Sequence, residues 1–87
     1  MRYLIVYDIS NDRARNKIST KLKKYGKRIQ YSAFEIEIAS KEIERLINEM
    51  EKLIDNTTDS IFLFPLSSYL IQCIIKLGKV DENEVAL

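Results

Sequence analysis

Apolar residues recur along this chain with two different periods, and the alternation of those periods divides it into extended and helical stretches. Tyr3-Leu4-Ile5-Val6-Tyr7 is an unbroken apolar run, rich in β-branched and aromatic side chains. It predicts a strand over residues 2–9 with both faces covered, one by helices and the other by a second subunit. Ala14, Ile18, Leu22 and Tyr25 then fall at helical spacing. They predict a helix capped by Asn11, running to about Tyr25 and stopped by Gly26. Residues 28–38 read as extended. Ile29, Tyr31 and Ala33 share one parity, while Phe34, Ile36 and Ile38 share the other. That switch at Ala33-Phe34 predicts either one bulged strand or two short ones. Ser40 is placed to cap a second helix, with Glu42 and Glu44 near its positive end. Ile43, Leu46, Ile47, Met50, Leu53 and Ile54 give this helix the cleanest apolar stripe in the chain. After a turn at Asp55-Asn56-Thr57-Thr58, Ser60 to Leu66 forms another apolar strand, with Pro65 near an edge. Residues 70–77 read as a last strand, ended by Gly78.

Two amphipathic helices alternating with short strands point to an α+β sandwich with the helices on one face of the sheet. A ferredoxin-like βαββαβ arrangement with an extra C-terminal strand fits this order. The expected single domain covers residues 1–79, and residues 80–87 form an acidic, mobile tail. An 87-residue chain has room for one core only. A domain of this size buries only about 60–65% of its extended-chain surface, so it is marginal alone and gains from oligomerising.

Composition narrows the chemistry. The chain has no histidine, which excludes histidine-based triads, two-histidine nuclease chemistry and histidine zinc sites. Its one cysteine, Cys73, forms no intrachain disulfide and suits a reducing compartment as a small apolar core residue. Met1 leads almost directly into the first strand, and no apolar run reaches the roughly 20 residues of a membrane span. The expectation is a cytoplasmic protein with no membrane partner. A net charge of +1 hides an asymmetry. Residues 1–30 carry nine Lys or Arg against Asp8 and Asp12, a net +7; the remainder carries five against eleven acids, a net −6. The basic first half suggests a polyanionic partner, although solvated lysine-rich faces are common.

Any catalysis must therefore run on carboxylates, hydroxyls, cations or an oxygen-bound metal. Asp8, at the carboxyl end of the first strand, is held firmly and still reaches solvent, a frequent position for metal ligands and catalytic acids. Its alternative role is to cap the following helix. Mg²⁺ takes one or two carboxylates plus waters and phosphate oxygens, so two copies of Asp8 across a dimer axis would make a better site than one. Such an ion could polarise a phosphate and activate water. On the first helix, Arg13, Lys17, Lys21, Lys24 and Arg28 recur at intervals of three or four, forming a basic stripe beside the apolar face that Arg15 and Lys23 widen. This stripe would neutralise backbone phosphates rather than read bases. Tyr7, Tyr31 and Phe34 read as core or interface rather than as a base-stacking platform. The Ser32 hydroxyl either lines the metal site or is a satisfied buried group.

Three groups of residues then stand in a telling order: Tyr7-Asp8-Ile9, Arg15-Asn16-Lys17, and Tyr25-Gly26-Lys27-Arg28-Ile29-Gln30-Tyr31-Ser32-Ala33-Phe34-Glu35. With the later Phe64-Pro65-Leu66 and Lys76-Leu77-Gly78, they resemble the second CRISPR-associated (Cas) protein family over nearly the whole chain. These are small ferredoxin-like, metal-dependent nucleases that also serve in spacer acquisition. The resemblance implies a homodimer whose two Asp8 residues meet and bind Mg²⁺, with Tyr7, Arg15, Arg28 and Phe34 supporting catalysis. Arg15 and Arg28 would contact phosphates, Phe34 would shape the dimer cleft, and residues 72–77 would extend the partner's sheet. Lys17 stands where an arginine is frequent in the family, which weakens bidentate phosphate contact. Ala33 replaces the usual valine, which trims interface packing.

Two functions follow from the resemblance. One is a Mg²⁺-dependent endonuclease cleaving RNA or double-stranded DNA phosphodiesters, working in antiviral defence with the CRISPR integrase (the first Cas protein). The other is a non-catalytic dimeric adaptor that holds duplex DNA for that integrase. A ferredoxin-like regulatory dimer binding a small ligand is a third possibility; with only Gly26 and Gly78 present, the chain lacks a glycine-rich phosphate loop.

Overall fold

A computed structural model describes residues 1–78 of the chain. The expected tail over 80–87, with its boundary at 79, lies outside the described residues. Seven elements follow one another: strand β1 (Arg2–Asp8), helix α1 (Asp12–Leu22), strands β2 (Gly26–Gln30) and β3 (Ala33–Glu37), helix α2 (Ile43–Glu51), strand β4 (Ser60–Leu66) and helix α3 (Ser68–Gln72). The strands form one antiparallel sheet in the order β2-β3-β1-β4. This is the ferredoxin-like βαββαβ arrangement, with β1 at an inner position between β3 and β4.

Period-two alternation explains the layering. Ile5 and Tyr7 of β1 and Phe34 and Ile36 of β3 are buried together with Ile18 and Leu22 of α1 and Leu46 and Met50 of α2. Ile61 and Leu63 of β4 pack against the same cluster. The alternate positions face away from the helices, and there Val6, Phe62 and Phe64 are exposed. Val6 lies directly opposite Phe62, and Leu4 opposite Phe64, in the β1–β4 register. The chain by itself covers only one of the two faces that the apolar run in β1 anticipates.

Local chemistry sets the element ends. The Asn11 side chain accepts from the Ala14 amide at 2.9 Å, capping α1 as expected. The cap expected at Ser40 is not formed. Residues 40–42 make a turn, closed by the Glu42 amide donating to the Ala39 carbonyl at 2.9 Å, and α2 starts only at Ile43. Residues 28–38 are two strands, with a register shift between Arg28 and Gln30 and a turn at Tyr31-Ser32. Gly26 does not stop α1 through a left-handed conformation, because among the described residues only Gly78 has positive φ. Gly26 opens β2 instead, where a Cβ would stand 1.9 Å from the Glu35 carbonyl oxygen. Its missing side chain is what lets β2 lie against β3.

The expected last strand over 70–77 is not formed in the single chain. The Ser67 hydroxyl accepts from the Leu70 amide at 3.2 Å and starts a short helix through Gln72; residues 73–77 are irregular. A strand needs a ladder partner, and the capping bond offers this segment a local alternative. Cys73 is exposed rather than in the core. No helix among the described residues is long and apolar enough to cross a membrane.

Candidate active site

The inner position of β1 carries Tyr7 and Asp8 to one end of the sheet, and alternation sends their side chains to opposite faces. Tyr7 points into the core, 3% exposed, with its ring stacked on Phe34 at 6.4 Å between centroids. Asp8 points to the open face, opposite Ser60 of β4. Among the described residues its carboxylate accepts no hydrogen bond and forms no ion pair. It therefore does not cap α1; Asn11 does that.

The chain around Asp8 is fixed on each side. The Tyr7 amide donates to the Ser32 carbonyl at 3.0 Å, tying β1 to the β2–β3 turn. Past the strand, Arg15 Nη1 donates to the Ile9 carbonyl at 2.9 Å. Asp59 holds the next residue, its Oδ1 accepting from both the amide and the hydroxyl of Ser10 at 3.2 Å. Its other oxygen accepts from the Asp55 amide at 2.9 Å. These amide bonds hold the Asp59 carboxyl below its ordinary pKa, the Asp55 amide contributing most. Asp59 was not among the sequence candidates, since an acid beside a turn has no pattern that distinguishes it from a solvated one.

Two arginines expected to contact phosphate converge at this end. Arg15 is about 200° round the helix from Arg13, and its guanidinium also pairs with Asp12. Arg28 lies on β2, not on α1, because the helix ends at Leu22. Its guanidinium carbon sits 5.1 Å over the Phe34 ring, and Nη1 donates to the Tyr31 carbonyl at 2.6 Å. Burial pushes the Tyr7 phenol pKa up, and the charges of Arg28 and Arg15 partly offset that rise. The Tyr7 hydroxyl is buried with no hydrogen-bond partner among the described residues. Leaving such a group unpaired costs about 1–3 kcal/mol.

The remaining candidates separate from this cluster. Arg13, Lys17 and Lys21 do share one face of α1, and with Lys24 in the turn just past it they line a shallow groove with Asn16, Thr20 and Leu53. Lys21 is engaged there by Glu49 at 3.0 Å. Ser32 lies in the β2–β3 turn and contributes its carbonyl, as above. Tyr31 is not a core residue: its ring is 71% exposed. No group of three or more acidic or thiol ligands is present among the described residues. A lone, unengaged carboxylate fits Mg²⁺ chemistry that draws its other oxygens from water, phosphate or a second copy.

An antiparallel βαββαβ sandwich, with a strand-borne aspartate unengaged among the described residues and two arginines at the same sheet end, defines a small ferredoxin-like protein. The family described as CRISPR associated protein Cas2 matches residues 1–72. The chain belongs to that family. A Synechocystis sp. protein named CRISPR-associated endoribonuclease Cas2 3 is 36% identical over 69 residues, covering 79% of this chain and 75% of its own. The crystal structure of Streptococcus pyogenes Cas2 superposes with a TM-score of 0.82 at 25% identity, over 90% of this chain and 100% of that one. A chain of a partial Cas6-RT-Cas1–Cas2 complex gives a TM-score of 0.66 at 27% identity, over 95% and 91% of the two chains.

Proposed function

We propose that this chain is a metal-dependent endonuclease acting on RNA or double-stranded DNA phosphodiesters, and that its centre is completed when two copies pack open face to open face. The observation that carries this reading is the free Asp8 carboxylate beside exposed Val6, Phe62 and Phe64. An isologous contact through those apolar residues would bring two aspartates to one axis, where each chain alone supplies one. Asp8 of each copy would hold Mg²⁺, which when bound supplies Lewis-acid activation of water and of the phosphate. Arg15 and Arg28 bind and orient phosphate, Tyr7 is a positioning group within reach of both charges, and Phe34 is the floor under both Tyr7 and Arg28. Residues 72–77, with Ile74, Ile75 and Leu77 left exposed past β4, are the segment that would extend the partner's sheet.

The name of the Synechocystis relative supports the nuclease reading, and the neighbour in a Cas1–Cas2 complex supports a role in spacer acquisition alongside the integrase. A second reading, a non-catalytic adaptor, is favoured by the exposed Arg13 and Lys17 on α1 and Lys24 just past its end. These cations offer a duplex backbone a surface that does not involve Asp8. Cleavage of labelled single-stranded RNA and duplex DNA, with Mg²⁺ or EDTA, separates the two. Mg²⁺-dependent cleavage lost in Asp8→Asn supports the nuclease. Salt-sensitive duplex binding with no cleavage above that of the variant supports the adaptor.

A further inference from the structure

The turn between β2 and β3 displays an aromatic ring that contributes nothing to the core. Tyr31 is 71% exposed, whereas Tyr7 and Phe34 are buried. Its ring centre lies 5.9 Å from the Arg15 guanidinium carbon, and its carbonyl accepts from Arg28 Nη1 at 2.6 Å. One residue thus touches both arginines, the first through its ring and the second through its backbone. The neighbouring Ser32 carbonyl is bonded to the Tyr7 amide, which fixes the turn beside the Tyr7–Asp8 peptide. Other exposed aromatics lack this setting. Phe62 and Phe64 meet each other edge to face on the open sheet at 6.2 Å, and Tyr69 lies on α3. Among the described residues, no guanidinium stands over any of these three rings.

We infer that Tyr31 stacks on one nucleobase of the bound strand while Arg15 and Arg28 hold its phosphates. The inference rests on the phosphate-binding role given above to those arginines, and it adds a base-contacting residue. A ring backed by a guanidinium and open to solvent suits stacking, which tolerates any base because every base has a π face. A base inside a closed duplex is already stacked on its neighbours and is unavailable to the ring. The site therefore takes an unpaired nucleotide in preference to a paired one.

Fluorescence anisotropy in EDTA tests this without any cleavage step. The probes are a short labelled single-stranded RNA and a fully abasic ribose-phosphate strand of equal length. The native chain should bind the base-bearing strand at least about fivefold more tightly, the smallest effect expected of one stacked base. Tyr31→Ala should bind both strands equally, and Tyr31→Phe, which keeps the ring, should restore the preference. A base preference that survives in Tyr31→Ala overturns the inference. So does an equal loss for both strands, which would mean that Tyr31 only positions the arginines. Failure of the underlying reading looks different: Arg15→Ala and Arg28→Ala would leave binding of the abasic strand unchanged.

Discussion

Strand β1 ends in opposite electrostatic states at its two termini. At the amino end, the Met1 ammonium donates to the Ile38 carbonyl at 2.8 Å and pairs with Glu37 at 2.7 Å. Arg2 bridges Glu37 and Glu35 at 3.1 and 3.0 Å. The Met1 ammonium, Glu37, Arg2 and Glu35 thus form one continuous chain of ion pairs joining the start of β1 to β3. At the carboxyl end, Asp8 meets no cation and the Tyr7 hydroxyl meets no partner among the described residues. Arg28 is held on a ring and a carbonyl rather than on a carboxylate. The chain satisfies its polar groups where only folding is at stake. At the other end it leaves the Asp8 carboxylate and the Tyr7 hydroxyl unpartnered among the described residues, and that carboxylate is the provision a cation would use.

Substitutions at the two ends should therefore separate stability from activity. The largest effect is expected of Phe34→Ala, which removes the floor of the carboxyl end. It should lower unfolding free energy by about 3–5 kcal/mol in chemical denaturation, as for other buried aromatics. Cleavage should fall with it, because Tyr7 and Arg28 both rest on that ring. Tyr7→Phe should split the two properties. Deleting an orphaned buried hydroxyl should raise stability by about 1 kcal/mol while cleavage drops; a less stable variant would show that the hydroxyl has a partner. Arg2→Ala, at the satisfied end, should cost about 0.5–1 kcal/mol, since its ion pairs lie near the surface. It should leave cleavage unchanged, and an activity loss there would break the comparison.

The smallest effect concerns acid. The Asp59 carboxyl is held below its ordinary pKa in the fold, so on acidification the unfolded chain takes up that proton first. Its stabilisation is complete above the unfolded value of about 3.9 and is lost as pH falls through the folded value. Asp59→Ala should be less stable than the native chain at neutral pH, with the gap closing in acid. Thermal unfolding from neutral pH down through that range checks it. A gap that stays constant would mean that Asp59 acts through something other than its charge.

Much of the fold was legible because its signals are local and periodic. The stripe Ile43, Leu46, Ile47 and Met50 lies on α2, and the runs at Tyr3–Tyr7 and Ile61–Phe64 lie in β1 and β4. Gly26 was misread because its small size serves a close approach by β3, a tertiary demand invisible in one strand of sequence. The segment at 70–77 has strand composition but no ladder edge within its own chain, and a serine cap turned its start into helix. Spacing alone put Arg28 in line with Lys24, whereas the chain reverses between them and sends Arg28 to the side of Phe34. Asp8 was legible from its place at the carboxyl end of the first strand, and family resemblance supplied Tyr7, Arg15, Arg28 and Phe34. Asp59 was missed, and Tyr31 was read as core or interface, because the place of each depends on which turns meet at the end of β1.

Asp8→Asn is the direct test of the central claim, that the unengaged carboxylate is kept for catalysis. The side chain is exposed and, among the described residues, unpaired, so the variant should keep its stability within about 0.5 kcal/mol. With labelled single-stranded RNA and duplex DNA, the native chain should cleave in Mg²⁺ and not in EDTA, and the variant should not cleave in either. A stable variant that cleaves as fast as the native chain would contradict the account.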